Sequence, residues 1–380
     1  MPTSVVPMSD LSWSQVCARR LRRHGLTEPF TGGPADVVSA VAGTHAQVMS
    51  AAELSIGLRL PDATRQTVRD AVWDTHELVK TFGPRGTVHL LPTADLPNWI
   101  GVLSAAPRLP TGLPEHVRMS DEQTEQVLEA IAHAVTDTEL TVDELTDAIV
   151  ATAGSWAGDP VMDAFQTKWP RWRQIQHLAA HRGAMVFGPD RGRKATYTSP
   201  RRWLPDLAPA PDAVEWALHR YLHAFGPSTP ARFANWLATS PAWAKKVFQS
   251  TDLERVEVDG EEAWVAPGDG EESGEPTGLR LLPYFDTYAY AVGNDRARLN
   301  PGVAATRAKG NFQVLLVDGV VGGIWHQKRS GRKVALTVEP FVKLTKARLR
   351  ELDEQVDRVG RILEATPTLT IGAVTVGGHA

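Results

Sequence analysis

Apolar residues recur with the 3.6-residue period of an amphipathic helix through Ser14–His24, on both sides of Thr44-His45-Ala46-Gln47, and through Arg65–Val79. Two short strands, LVKTF at 78–82 and TVHLL at 87–91, surround Gly83-Pro84-Arg85-Gly86. Pro92 closes that unit and a further helix begins at Thr93. The next ninety residues or so repeat the plan. A helix opens at Ser120 with Gln123 three residues on, the spacing of a capping box. A second ends at Gly154, where the absent Cβ permits a helix stop. A third starts at Pro170 and ends at Gly183, followed by a hairpin with the tip GPDRGRK (188–194).

A third copy runs from Ala213 through three helical patterns to the strands RVEV (255–258) and AWVA (263–266). The Arg-Gly lead into a strand at Arg85 returns at Arg182, a weak internal repeat that agrees with the element order. Three helices and a two-stranded wing describe the winged helix-turn-helix. After Gly278 the texture changes: two strands meet at Asp318-Gly319, a hairpin signal, and a long helix (344–365) precedes a last strand. The predicted fold is α+β and mainly helical. Three tandem winged-helix units, at 1–118, 119–207 and 208–277, precede a small β-barrel-like domain at 278–380.

Thr44-His45-Ala46-Gln47 admits two readings. Thr44 and Gln47 have capping-box spacing, which would make the stretch a helix start. On extended backbone, His45 and Gln47 would instead share a face.

Composition narrows the function. Cys17 is the sole cysteine, which excludes an internal disulfide framework and a cysteine-based zinc cage, and fits a reducing cytoplasm. The N-terminus lacks a signal-peptide pattern, and no apolar run approaches the roughly 18 residues of a membrane span. Net charge is −4, yet nine basic residues against one acid lie between Ala164 and Arg202. HQKRSGRK (326–333) adds four more bases, while acids gather at 259–262 and 268–276. Local basic stripes on an acidic chain suit a polyanion held on one face; solvated helix faces are the plain alternative.

The order of these pieces, with HAQ at 45–47, RGTVHLLP at 85–92, LLPYFDTYAY at 281–290 and LLVDGVVGGIWHQK at 315–328, resembles the bacterial winged-helix DNA glycosylases of the AlkZ and YcaQ type. The resemblance covers nearly the whole chain. In that family a Gln-x-Gln or Gln-x-Asp motif in the first unit carries the chemistry. By position, His45-Ala46-Gln47 corresponds to it, with His45 replacing the first Gln.

The resemblance implies a monofunctional glycosylase that removes cationic, N7-alkylated purines from double-stranded DNA. Bulky genotoxin lesions would be its targets, in self-resistance or repair. Alkylation at N7 lets the base leave neutral, so a general acid is not required; what remains is placing water and supporting an oxocarbenium-like transition state. Gln47 would orient the water, and His45, with an ordinary pKa of about 6.5, would accept its proton. Asp286, among the aromatic residues of YFDTY, is the candidate carboxylate for the developing positive charge, against a turn or cap role.

Expected DNA contacts are Arg85, His89, Arg171, Arg173, Gln174, Arg191, Arg193 and Lys194, with Lys328, Arg329, Arg332 and Lys333 at a hairpin tip able to probe a minor groove. Trp13, Trp169 and Trp172 are assigned to the core. No cofactor, metal or obligate protein partner is expected, and the chain should be monomeric. The main rival is a non-enzymatic winged-helix regulator. A metal-dependent nuclease finds no ligand pattern among the scattered histidines.

Overall fold

The computed structural model describes residues 9–164, 167–270, 274–290, 295–308 and 312–376. The segment 1–8, on which the absence of a leader was judged, and 271–273, the centre of one acidic run, lie outside them.

Strand β1 (Ser9–Leu11) leads into α1 (Trp13–Arg23). The Ser12 hydroxyl accepts from the Gln15 N–H, and the Gln15 side chain accepts from the Ser12 N–H, a complete capping box. There follow α2 (Pro34–Ala40), β2 (Thr44–His45), α3 (Met49–Gly57), α4 (Arg65–Trp73), β3 (Leu78–Phe82) and β4 (Val88–Pro92), with sheet order β2-β4-β3. Helix α5 (Leu96–Ala105) connects to α6 (Asp121–Ala134), β5 (Leu140–Thr141) and α7 (Val142–Ala153). Ser120 and Thr141 cap these helices through Gln123 and Glu144.

An unforeseen hairpin, β6 (Pro160–Ala164) and β7 (Thr167–Pro170), is inserted before α8 (Gln176–His181). The α-helix predicted from Pro170 is therefore shorter: 171–175 form a tighter 3-10 turn, with the Trp172 indole N–H donating to the Thr146 hydroxyl. Strands β8 (Val186–Arg191) and β9 (Lys194–Thr198) complete a sheet of order β5-β9-β8.

Helices α9 (Ala213–Phe225), α10 (Pro230–Leu237) and α11 (Pro241–Ser250) then precede β10 (Glu254–Val258) and β11 (Glu261–Val265). Ser228 bridges to Trp264 on β11, and β1 pairs in parallel with β10. Thus one order appears three times: helix, short extended segment, two helices, hairpin. Each time the short segment pairs with the hairpin's last strand.

The remaining chain forms β12 (Leu279–Leu282), three one-turn helices α12 (Thr287–Tyr290), α13 (Arg296–Leu299) and α14 (Ala304–Arg307), and then β13 (Gln313–Val317), β14 (Val320–Ser330) and β15 (Lys333–Pro340). Helix α15 (Lys346–Ile362) crosses over to β16 (Thr366–Ile371), which makes β15–β16 the one parallel pair of this sheet. The β13–β14 turn has φ of 50° at Asp318 and 81° at Gly319, the left-handed pair that a two-residue hairpin requires. The predicted barrel is an open, curled half-barrel: among the described residues β12 and β16 are its edges.

Two cores fuse these parts. Val37, Ile56 and Leu90 pack with Ile131, Leu145 and Trp172. Leu54, Leu58 and Trp99 pack instead with Phe225, Trp236, Leu281 and Trp325. Burying each such side chain stabilises by about 1.5–3 kcal/mol, so the first repeat is held from both sides. No helix among the described residues is long and apolar enough to cross a membrane.

Candidate active site

Strand β2 decides between the two readings of Thr44-His45-Ala46-Gln47. His45 lies opposite His89 of β4, and the Ala46 N–H donates to the Val88 carbonyl at 2.7 Å. The backbone is therefore extended at Thr44 and His45, Ala46 joins the core and His45 turns to the other side; the strand ends there, and Gln47 lies in the bend that leads to α3. The capping box does not form: α3 starts after Val48 without a side-chain cap, and Thr44 is buried. Gln47 is exposed and His45 is 6% exposed.

The His45 ring stacks on Phe285 at 4.6 Å between centroids, and meets the edges of His89 at 5.3 Å and Tyr290 at 5.4 Å. Arg85, Trp236 and Thr287 complete a cleft of about 10 Å³. That is room for about one water. Beyond β2 and β4, three further regions of chain supply it. Arg85 comes from the β3–β4 turn, Trp236 from α10, and Phe285 to Tyr290 from the segment after β12. Thr287 ties that segment to β2 by donating from its hydroxyl to the Gly43 carbonyl at 3.3 Å. Gly43 itself has φ of 96°, and a Cβ there would stand 3.0 Å from Leu91.

Burial, and then the charge of Arg85, push the His45 pKa down to about 4. The imidazole is neutral near pH 7 but a weaker base than the ordinary value implied. Its Nδ1 is buried without a hydrogen-bond partner among the described residues. His89 donates from Nδ1 to the Thr87 carbonyl at 2.8 Å, and burial followed by the nearby His45 pushes it down to about 3.

Several expected residues are placed differently. Asp286 does not face the cleft as a free carboxylate. It is 1% exposed, and both its oxygens are taken by Arg59, with Ser55 donating as well. Burial pushes its carboxyl up, but the Arg59 charge and these hydrogen bonds outweigh that and hold it low. His89 backs His45 from the central strand of its sheet and is 5% exposed, so it is no surface contact for DNA.

Arg171 turns inward to the carbonyls of His116 and Val117, and Gln174 donates to the carbonyls of Val117 and Arg171. Arg173 lies 4.1 Å over the ring of Trp169, which is 41% exposed rather than core; Trp172 is fully buried and Trp13 packs against the core, as predicted. At the β8–β9 tip Arg191 pairs with Glu144 and Lys194 with Asp143, while Arg193 is exposed. Lys328, Arg329, Arg332 and Lys333 are all exposed where β14 turns into β15.

Arg85 is the basic residue that the fold brings to His45. Its guanidinium lies 5.7 Å over the Tyr290 ring and donates to the Trp236 carbonyl at 3.4 Å; no carboxylate pairs with it among the described residues. The aromatic wall of Phe285 and Tyr290 was missed in the sequence, although YFDTYAY was noticed as a motif; its chemistry had been assigned to Asp286 instead. Two His-x-x-x-His spacings, His177/His181 and His219/His223, were also overlooked. Each puts two imidazoles one helical turn apart, but no group of three or more candidate ligands that could hold a metal forms among the described residues.

A family model described as DNA glycosylase AlkZ-like matches residues 38–362. The chain is 30% identical over 369 residues to an interstrand DNA cross-link repair glycosylase of Streptomyces sahachiroi, covering 92% of this chain and 96% of the relative. Its fold is similar to the solved structure of Streptomyces sahachiroi DNA glycosylase AlkZ, with a TM-score of 0.76 and 26% identity over 96% of this chain and all of that one. The chain belongs to the AlkZ-like DNA glycosylase family and is a DNA glycosylase of DNA repair.

Proposed function

We propose that the chain hydrolyses the N-glycosidic bond of cationic, N7-alkylated purines in double-stranded DNA, with His45 and Gln47 at the reacting sugar. One observation carries this reading: β2 holds a neutral His45 imidazole in a cleft with space for one water, with the exposed Gln47 two residues further on. As the C1′–N9 bond breaks, its electron pair neutralises the cationic purine, and water adds to C1′ and gives up its proton to bulk solvent. Gln47 accepts a hydrogen bond from that water through its amide oxygen. His45 orients it through an unprotonated ring nitrogen; with a pKa of about 4, strong proton abstraction is not its part. An uncharged pair suffices for a cationic leaving group and serves an undamaged base poorly.

The threefold element order supports three winged-helix units, at 1–118, 119–207 and 208–277, arranged along a duplex, with the C-terminal sheet from 278 adding its basic hairpin. The relative named for interstrand cross-link repair favours a role in repair; bulky genotoxin lesions, met in repair or self-resistance, are the targets we assign. Arg85, Arg193, Lys328, Arg329, Arg332 and Lys333 are the phosphate contacts we assign. In the test, duplex DNA carrying one N7-alkylguanine is incubated under single-turnover conditions and treated with alkali to break abasic sites. Breaks made by wild type and lost in Gln47→Ala support the assignment. Breaks made equally by Gln47→Ala and His45→Ala move the active site elsewhere.

A further inference from the structure

The sheet β2-β4-β3 packs its edge strand β3 against β8, the edge of the sheet β5-β9-β8. At this seam lies a cavity of about 260 Å³, with the exposed Pro189 and Arg202 at its rim. Lys80, in its lining, stands opposite Leu90 of β4, one position along from the Thr81–His89 pair. Its side chain therefore leaves the sheet on the face turned away from His89. The cavity shares no residue with the His45 cleft. We propose that it is a binding site for a planar aromatic carboxylate, separate from the glycosidic reaction.

Rings supply the walls. His76 and Trp203 stack with planes 3° apart and centroids at 4.4 Å, and Trp73 and Phe187 line the same space. The His76 ring is fixed by donation from Nδ1 to the Val72 carbonyl at 3.1 Å. An apolar cavity of about 150 Å³ holds a benzene, so this larger one admits two fused rings. Charge supplies the other half of the ligand. Lys80 lies 5.0 Å over the Phe187 ring, and no carboxylate pairs with it among the described residues, whereas Lys168 and Lys194 pair with Asp163 and Asp143. Burial pushes its pKa down, against a smaller upward pull from the charge of Asp190, as befits a cation short of a counter-ion. Arg202 commits Nη1 to Glu139 and to the Thr198 hydroxyl, both at 3.0 Å, and so answers the one acid in the lining. One ammonium is left over beside the ring walls, and a carboxylate set against it gains a charge-assisted hydrogen bond.

The test measures calorimetric binding to the full chain of indole-3-carboxylate, of its uncharged isostere indole-3-carboxamide, and of acetate. Wild type should bind the carboxylate at least about tenfold more tightly than either of the others. Lys80→Met should remove that preference and Lys80→Arg should keep it. His76→Asn, which suits the positive φ of 53° at that position, should weaken both ring ligands alike. His45→Ala should leave all three affinities unchanged, whatever it does to excision. Failure of wild type to bind the carboxylate at millimolar concentration, or equal binding by Lys80→Met, overturns the site. So does a fall of about 0.9 in the salt slope of duplex binding in Lys80→Met without any carboxylate binding, which gives Lys80 to a DNA phosphate instead.

Discussion

Arg59 meets Asp286 in the interior with Nη1 2.8 Å from one carboxylate oxygen and Nη2 2.9 Å from the other. The pair joins the end of α3 to the turn that carries Phe285, and the Ser55 hydroxyl donates to the same carboxylate at 2.7 Å. Both side chains are essentially without solvent contact. A charge stranded here would have neither water nor partner.

Asp286→Ala should therefore cost about 3–5 kcal/mol, because Arg59 stays buried and uncompensated. The urea midpoint reads this directly. Replacing both partners by apolar residues of similar size, Arg59→Met with Asp286→Leu, should recover much of the loss. If the single variant proves as stable as wild type, the pair does not hold the segment.

Gln47 presents the opposite case. It is exposed and caps no helix, so Gln47→Ala should change stability by less than about 0.5 kcal/mol. Excision should nevertheless fall about 10²-fold through the loss of water positioning. A variant that melts early but excises normally would return Gln47 to a structural role.

Acid should weaken the fold through its buried histidines. Burial, the first cause in each case, pushes His24 and His89 down to about 3 and His45 and His181 to about 4. Unfolded, each would titrate at about 6.5. Between that value and the folded ones the unfolded chain binds more protons, so stability is full above about pH 6.5 and falls as pH drops. Each such histidine contributes up to about 1.4 kcal/mol per pH unit. Urea midpoints at pH 8, 7, 6 and 5 should be flat and then fall, with a shallower fall in His45→Gln. Since His45 is neutral across that range, excision should show no inflection near 6.5 that disappears in His45→Gln.

Salt separates surface contacts from internal ones. Neutralising any one of Lys328, Arg329, Arg332 and Lys333 should lower the slope of log K against log salt by about 0.9, the share of a single phosphate. Arg171→Ala should leave that slope alone and lower stability instead, since its guanidinium serves the carbonyls of His116 and Val117. Fluorescence anisotropy at several salt concentrations distinguishes the two; an unchanged slope in the hairpin variants removes them from the interface.

The helix start at Ser120, the helix end at Gly154 and the turn at Asp318-Gly319 were legible because each signal lies within four residues. The state of Thr44–Gln47 was not, since both readings fit the local sequence and the choice is made by β4, more than forty residues later. The pairing of Asp286 was hidden for the same reason: its partner Arg59 is 227 positions away. The aromatic wall on His45 likewise depends on packing between distant segments. Hairpin β6–β7 gave no warning, because the sequence from 160 to 170 holds no Asn-Gly or Asp-Gly pair.

The pairing of β1 with β10 bears on how the chain comes off the ribosome. Next to that strand pair, the Trp13 N–H donates to the Asp259 side chain, 246 positions along the chain. At roughly 5–20 residues per second, the head of the protein waits many seconds for this neighbour. Through that interval its strand edge and the apolar face behind it are open to any other nascent segment. Synthesis thus leaves β1 without its partner strand until β10 has emerged.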